Sequence, residues 1–492
     1  MIRARELRIA FVTSEMVPFA KTGGLADVSG ALPRALARLG HDVTVVLPRY
    51  AAMPFPPGDF VGAVHVPVDG AHRSAGYYVA QLEERLQVVF VEHAPFYERP
   101  YLYGKNSHDY SDNHLRFAFL SRAALEYYRS RGRSPDVFHA NDWQTGLVPV
   151  YLKAFYWDDP ALSHTPTVFT IHNLAYQGNF PPETVAVLGL PGHLINDEAL
   201  GLHDRVSYMK GGILFSEAVT TVSPQYAQEI QGPELGYALD GALRSRAGDL
   251  VGILNGIDYD EWDPQSDAYI AGRYSAQDLS GKEQCKADLL REFSLPAEPD
   301  LPLVGIVSRL VAQKGLDLVV TAWWDLLHRP LRLVVLGTGE LEVHEGLRAL
   351  AARAPDRVAV RFDYDTGLAH KIAAGADIYL MPSRYEPCGL SQLYALRYGT
   401  VPVVRSTGGL VDSVEPFDPS AGTGTGFRFA QADGTGLIWA LDQALAVHSD
   451  RRQWERLMRN GMSRDFSWRR SARRYVQAYE RAMGKTGDTH RF

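Results

Sequence analysis

The chain has 492 residues, more than one ordinary core accommodates, so two or more domains are expected. Hydrophobic residues make up 46% and charged residues 22%, and 57 acidic against 50 basic side chains give a net charge of -7. That balance is ordinary for a globular protein and lacks the basic footprint of a nucleic-acid binder. Only two cysteines occur, Cys285 and Cys388, which excludes a disulfide framework and a cysteine-rich zinc site. No apolar stretch is long enough to span a bilayer, and the short apolar run after the basic N-terminus reads as a strand rather than a signal peptide. The expected setting is the reducing cytoplasm, with no membrane and no nucleic-acid partner.

Short runs rich in Val and Ile alternate with longer helical patterns. In the first half they are Leu7–Thr13, Val43–Leu47, Val88–Val91, Val137–His139, Thr167–Ile171 and Val219–Val222. Several are apolar throughout, as in strands buried on both faces of a parallel sheet. The stretch Ala51–Ala80 carries no motif. The second half repeats the pattern at Leu303–Ser308, Leu333–Gly337, Val358–Phe362, Ile378–Met381 and Val401–Val404. The predicted architecture is α/β: two Rossmann-like, doubly wound domains, 1–255 and 256–466. The join lies at Asn255-Gly256-Ile257-Asp258, with a second linker candidate at Pro296–Pro302. At the C-terminus, Ser467 is a plausible N-cap, and Trp468, Ala472, Tyr475, Val476 and Tyr479 share one face of a helix over 467–492. Arg469, Arg470, Arg473 and Arg474 read as its solvated side.

Candidate chemistry sits at the strand ends. Lys21-Thr22-Gly23-Gly24 follows the first strand and precedes a helix, where paired glycines, a helix N-terminus and a lysine suit a phosphate. His139-Ala140-Asn141-Asp142-Trp143 and Thr170-Ile171-His172-Asn173 end two further strands and place an acid and a histidine there. Arg309 and Lys314 follow Leu303–Ser308, and two cations at a strand end suit a diphosphate whose charge grows as it leaves. Glu386-Pro387-Cys388-Gly389-Leu390 precedes another helix pattern. Gly389 and Leu390 would offer amides, Glu386 would bind sugar hydroxyls, and Cys388 reads as a packed thiol. Thr407-Gly408-Gly409 is a further possible phosphate cradle. Gly337-Thr338-Gly339 lacks the third glycine of a dinucleotide fingerprint, and the Asp258/Asp260 and Asp363/Asp365 pairs are discounted as metal sites because cations already supply the neutralising charge.

Taken in order, Ser14-Glu15-Met16 with Lys21–Val28, His139–Gly146, Thr170–Gly178, Asn255–Asp258, Ser308–Gly315, Pro382–Leu390, Thr407–Leu410 and Asp465–Trp468 resemble the bacterial glycogen synthases and plant starch synthases. The resemblance covers nearly the whole chain. It implies a GT-B glycosyltransferase, its two Rossmann-like domains facing a deep cleft and its last helix returning to the N-terminal domain. It implies retaining transfer of glucose from ADP-glucose to the non-reducing end of an α-1,4-glucan, glycogen or a malto-oligosaccharide, with no cofactor and no metal. On this resemblance Arg309 and Lys314 neutralise the leaving diphosphate, Glu386 binds the donor glucose, His172 lines the glucose pocket and Asp142 lies near the reacting sugar. Lys21 and Gly24 bind the donor, together with Cys388, Gly389, Leu390 and Thr407, and Tyr364 packs near adenine. UDP-glucose as donor, another acceptor, or a non-catalytic glucan-binding role are the alternatives. A phosphorylase is disfavoured, because no lysine motif for a pyridoxal cofactor is found.

Overall fold

The valine-rich runs are strands, and they build two separate sheets. A computed structural model describes residues 5–51, 53, 58–105, 108–298 and 300–485. The chain divides into two units, one made of the segments up to Ile253 and from Trp468 onward, the other of Leu254–Ser467.

Among the described residues, the main sheet of the first unit has nine strands: β1 Arg8–Val12, β2 Asp42–Pro48, β3 Asp59–Val68, β4 Ala71–Glu83, β5 Leu86–Glu92, β6 Val137–Asn141, β7 Thr167–Ile171, β8 Ala218–Thr221 and β9 Leu250–Gly252. They lie in the order β9-β8-β7-β6-β1-β2-β5-β4-β3. β1 pairs in parallel with β2 on one side (Ile9↔Val43) and with β6 on the other (Ile9↔Val137). The central strands are buried along nearly their whole length, as a doubly covered parallel sheet requires. From β1 the chain passes to β2, goes to the edge strand β3 and returns inward through β4 to β5, then crosses to β6 and works outward the other way. The strand order therefore reverses between β1 and β6, and a crevice for ligands opens at their carboxyl ends.

One feature departs from the predicted parallel sheet. Residues 59–83, all but the last three inside the stretch without a motif, form an antiparallel hairpin, and β4 pairs antiparallel with both β3 and β5. Exposure alternates along β3, so it carries no continuous apolar run to signal a strand. As the sheet edge it is interrupted by a register shift between Phe60 and Gly62 and by Pro67, devices that blunt further pairing.

The second unit holds β10 Leu303–Val307, β11 Arg332–Leu336, β12 Val358–Arg361, β13 Ile378–Met381, β14 Val401–Arg405 and β15 Phe427–Phe429. All neighbours are parallel, in the order β12-β11-β10-β13-β14-β15. The period of two sends Val304, Ile306, Leu333 and Val335 into one core, and Leu303, Val334 and Leu336 into the core on the other face. Here the order reverses between β10 and β13.

The terminal helix spans Trp468–Lys485, and residues 486–492 of the predicted helix lie outside the described residues. Its buried face, Trp468, Ala472, Tyr475 and Tyr479, joins the core of the first unit with Ile9, Phe11 and Leu36. Burying its three large aromatic side chains contributes roughly 6 kcal/mol. The Tyr479 hydroxyl lies 2.9 Å from His139 Nδ1, and His139 Nε2 lies 2.6 Å from Thr170 Oγ1. His139 is thus a satisfied core residue. The four arginines of the opposite face are exposed. Among the described residues no helix is long and apolar enough to cross a membrane.

Candidate active site

Each sheet reversal gathers sequence-predicted residues. In the first unit, the loop after β1 leads to the helix Gly24–Arg38, with Gly23 at its N-cap. A Cβ added at Gly23 or Gly24 would meet nothing within 4 Å, so the space above this turn is open. The glycine pair does not turn all its amides outward, however. The buried Glu15 carboxylate accepts the Thr22 N–H (2.6 Å), the Thr22 hydroxyl (2.6 Å), the Gly23 N–H (3.2 Å) and the Tyr103 hydroxyl (2.5 Å). The amides left for an anion are those that open the helix at Gly24 and Leu25, since the Ala26 N–H already donates to the Gly23 carbonyl at 3.3 Å. Lys21 Nζ pairs with Asp27 Oδ1 at 2.6 Å, so its charge is partly balanced on the spot. Burial raises the Asp27 pKa, and Lys21 offsets only part of that rise.

Glu15, quoted in the sequence only as part of Ser14-Glu15-Met16 and given no role there, lies three residues past β1 and carries the loop. Glu15→Ala releases two amides and two hydroxyls from a charged acceptor. It is expected to destabilise the first unit by about 3 kcal/mol and to raise the KM for a phosphate-bearing substrate. Urea midpoints and initial rates measure the two effects. Unchanged values for both would remove Glu15 from the loop's support.

At the ends of β6 and β7 the structure brings together Asp142 and His172, predicted from separate motifs. Asp142 adopts φ 56°, ψ 179°, a strained conformation for a residue with a side chain. Its Oδ1 accepts the main-chain N–H of His172 at 2.7 Å and of Asn173 at 3.4 Å. Burial pushes the Asp142 carboxyl up to about 7, with the two amides pulling the other way and the Glu15 charge adding to the rise. His172 Nε2 lies 2.9 Å from Asn141 Oδ1, a partner that the sequence reading did not single out. Burial lowers the His172 pKa to about 3, so the imidazole is neutral.

In the second unit, Arg309 is exposed just past β10, its Nη2 3.5 Å from Gln313 Oε1. Lys314 Nζ lies 2.6 Å from Glu386 Oε2, which also accepts the Ser383 hydroxyl at 3.0 Å. A local cause brings the two loops together. Gly315 has φ 66°, and a Cβ there would stand 2.0 Å from the Pro382 carbonyl oxygen, so only glycine lets the Lys314 loop close on the end of β13. The predicted diphosphate lysine and the predicted sugar carboxylate are therefore one ion pair. Its side chains are 17% and 6% exposed, and Lys314 has two further N–H groups to offer.

The remaining assignments divide. Cys388 is buried, and burial pushes its thiol up to about 12, which fits a packed residue and not a nucleophile. Gly389 and Leu390 precede the helix Ser391–Arg397, as the motif implied. Thr407 is buried at the start of the helix Gly408–Ser413, but the glycines after it do not form an open cradle. A Cβ at Gly408 would meet the Glu386 carbonyl oxygen at 1.9 Å, and one at Gly409 the Cys388 carbonyl oxygen at 2.1 Å. Their role is to let the Glu386–Cys388 backbone pack against them. The Gly409 N–H completes the contact by donating to the Glu386 carbonyl at 3.1 Å. Tyr364 is 73% exposed after β12, two strands from β10, or about 10 Å along the sheet. The structure does not gather it with Arg309, Lys314 and Glu386. Asp363 and Asp365 are used locally, accepting the N–H of Tyr364 and of Leu368, and Asp258 accepts the N–H of Asp260.

Comparison with known proteins agrees with the two-unit α/β fold. Residues 8–245 match the family described as the starch synthase catalytic domain, and residues 291–460 match glycosyl transferases group 1. A glycogen synthase of Anaeromyxobacter sp. (strain Fw109-5) is 52% identical over 96% of this chain and 99% of its own. One from Koribacter versatilis is 48% identical over 97% and 98%. The solved catalytic domain of starch synthase IV from Arabidopsis thaliana, bound to ADP and acarbose, superposes with a TM-score of 0.89 at 36% identity, covering 98% of this chain and all of that one. Sucrose-phosphate synthase from Thermosynechococcus elongatus, at 19% identity and a TM-score of 0.63, shares the fold. With two Rossmann-like units, cations at a sheet reversal and relatives of this identity over nearly its full length, the chain belongs to the glycogen synthase family of GT-B glycosyltransferases.

Proposed function

We propose that this glycosyltransferase works in the cytoplasm, moving glucose from ADP-glucose to the non-reducing end of an α-1,4-glucan with retention of configuration. The observation that carries the reading is the meeting of Lys314, Glu386 and the neighbouring Arg309 loop at the carboxyl ends of β10 and β13, where strand order reverses. Two cations beside a leaving diphosphate act where negative charge develops. At an effective dielectric near 20, one such contact at ~4 Å is worth about 4 kcal/mol. Glu386, anchored by Lys314 and Ser383, takes the sugar hydroxyls. In the first unit Lys21 and the Gly24 amide bind the donor, His172 contacts its glucose, and Asp142 stabilises the positive character of the reacting sugar. The acceptor hydroxyl attacks from the side of the leaving group, and a phosphate oxygen takes its proton. The cations supply the neutralisation, so the reading requires no metal and no cofactor.

Supplying ADP-glucose or UDP-glucose with glycogen, and measuring nucleotide release and chain elongation, tests this. ADP release coupled to elongation, unchanged by a chelator, with a product cleaved by an α-1,4-specific amylase, is the expected result. Preferential UDP release would transfer the reading to the other donor, and loss of rate on chelation would overturn the metal-free step.

A further inference from the structure

The hydrogen bonds around Asn141 assign a tautomer to His172. Asn141 is fully buried at the end of β6. Its Nδ2 lies 3.1 Å from the Val12 carbonyl oxygen and 3.3 Å from that of His139, so both amide hydrogens have acceptors. Turning the amide over would set its oxygen against two carbonyl oxygens with no hydrogen between them. The orientation is therefore chemically forced, and Oδ1 faces His172 Nε2 at 2.9 Å. An oxygen with only lone pairs requires a hydrogen on that nitrogen. The main chain on both sides is held as well, Asn141 N–H by Thr145 Oγ1 at 2.5 Å and His172 N–H by Asp142 Oδ1 at 2.7 Å. His172 Nδ1 makes no hydrogen bond among the described residues and is not sealed from solvent.

We propose that Asn141 is a positioning residue, holding His172 in the Nε2–H form so that Nδ1 presents a lone pair to a hydroxyl of the donor sugar. The inference rests on the reading that His172 lines the glucose pocket, and deepens it. A neutral acceptor nitrogen selects a group that can donate, and it gives no attraction to a carboxylate at the same place. Burial favours the uncharged ring. The titratable neighbours of His172 are Asp142, whose Oδ1 is occupied by main-chain amides, and His139, held well below its usual pKa by burial.

Nitrogen-15 spectra of the unmutated full chain with labelled histidine, the signal assigned by its loss in His172→Gln, read the tautomer directly. The expected result is hydrogen on Nε2 and a bare Nδ1 from pH 6 to 8. Hydrogen on Nδ1, or an imidazolium in that range, overturns the proposal whether or not the donor is ADP-glucose. Asn141→Leu is expected to lower kcat/KM about tenfold, the loss of one neutral hydrogen bond in the transition state. Asn141→Asp keeps an acceptor at Nε2 but adds a charge that favours imidazolium. Its activity is expected to fall towards acid and recover towards pH 8, whereas a purely structural defect would depress both variants evenly at every pH. ADP-glucose analogues with each sugar hydroxyl replaced in turn by fluorine, which accepts but does not donate, complete the test. One analogue is expected to lose about tenfold with the unmutated enzyme and nothing more with His172→Ala. If none couples to His172 the hydroxyl contact is refuted, while glucosyl transfer itself stands.

Discussion

Replacing Lys314 with alanine is expected to lower kcat by roughly 10²–10³-fold while leaving the affinity for glucan near its original value. The ammonium is fixed in place by Glu386 at 2.6 Å and needs little reorganisation as the diphosphate gains charge. Its contribution therefore falls mainly on the transition state and appears in kcat. The same substitution removes one partner of a buried pair, and an uncompensated buried carboxylate costs about 3–5 kcal/mol. Turnover must therefore be measured well below the lowered unfolding midpoint. The double variant Lys314→Ala/Glu386→Gln isolates the stability cost, since the neutral amide leaves no buried charge unpaired and restores the unfolding midpoint. Near-normal kcat in a folded Lys314→Ala enzyme would remove the charge-neutralisation role.

Asp142→Asn is expected to trade activity for stability. The folded-state pKa of Asp142, raised to about 7, exceeds the unfolded value of 3.8, so between those values the folded chain binds the extra proton. Stability contributed by this group is complete below about pH 4 and is lost as pH rises through about 7. Three pKa steps correspond to at most about 4 kcal/mol. Asparagine keeps an oxygen for the His172 and Asn173 amides without carrying that penalty. At pH 8 the variant should unfold at higher urea than the parent, and at pH 4.5 the gap should shrink to about 1 kcal/mol. Turnover should fall by about 10² because the charge facing the reacting sugar is gone. The rise in the parent's kcat near pH 7, as Asp142 ionises, should vanish with it. A variant no more stable than the parent at pH 8 would show that burial does not strain this carboxylate.

Much of the scaffold was legible because buried parallel strands announce themselves as unbroken apolar runs. Leu303–Val307 and Thr167–Ile171 fall within or on the predicted runs, and the chemistry-bearing residues stand just past strand ends. The hairpin β3–β4 was not legible, since an edge strand with one wet face has no such run. Contacts between loops were also hidden. Lys314 and Glu386 are 72 positions apart, and nothing local says that Gly315 allows their approach. Glycine pairs were the least informative signal. Gly23-Gly24 lies under open space, whereas Gly408-Gly409 is filled by neighbouring backbone, a difference that only three dimensions reveal. Glu15 and Asn141 stand inside recognised motifs but received no role, because each serves other residues of the protein rather than a ligand.

The terminal helix bears on the order of assembly during synthesis. Its aromatic face completes the interior of the unit that leaves the ribosome first, yet Leu254–Ser467 must be translated in between. The N-terminal sheet therefore waits, with Phe11, Leu36 and the ring of His139 uncovered, until the helix Trp468–Lys485 emerges. The later-made unit, whose strands are contiguous in the chain, is free to finish before it. A nascent chain stalled short of Trp468 would expose an apolar surface, the kind that chaperones hold.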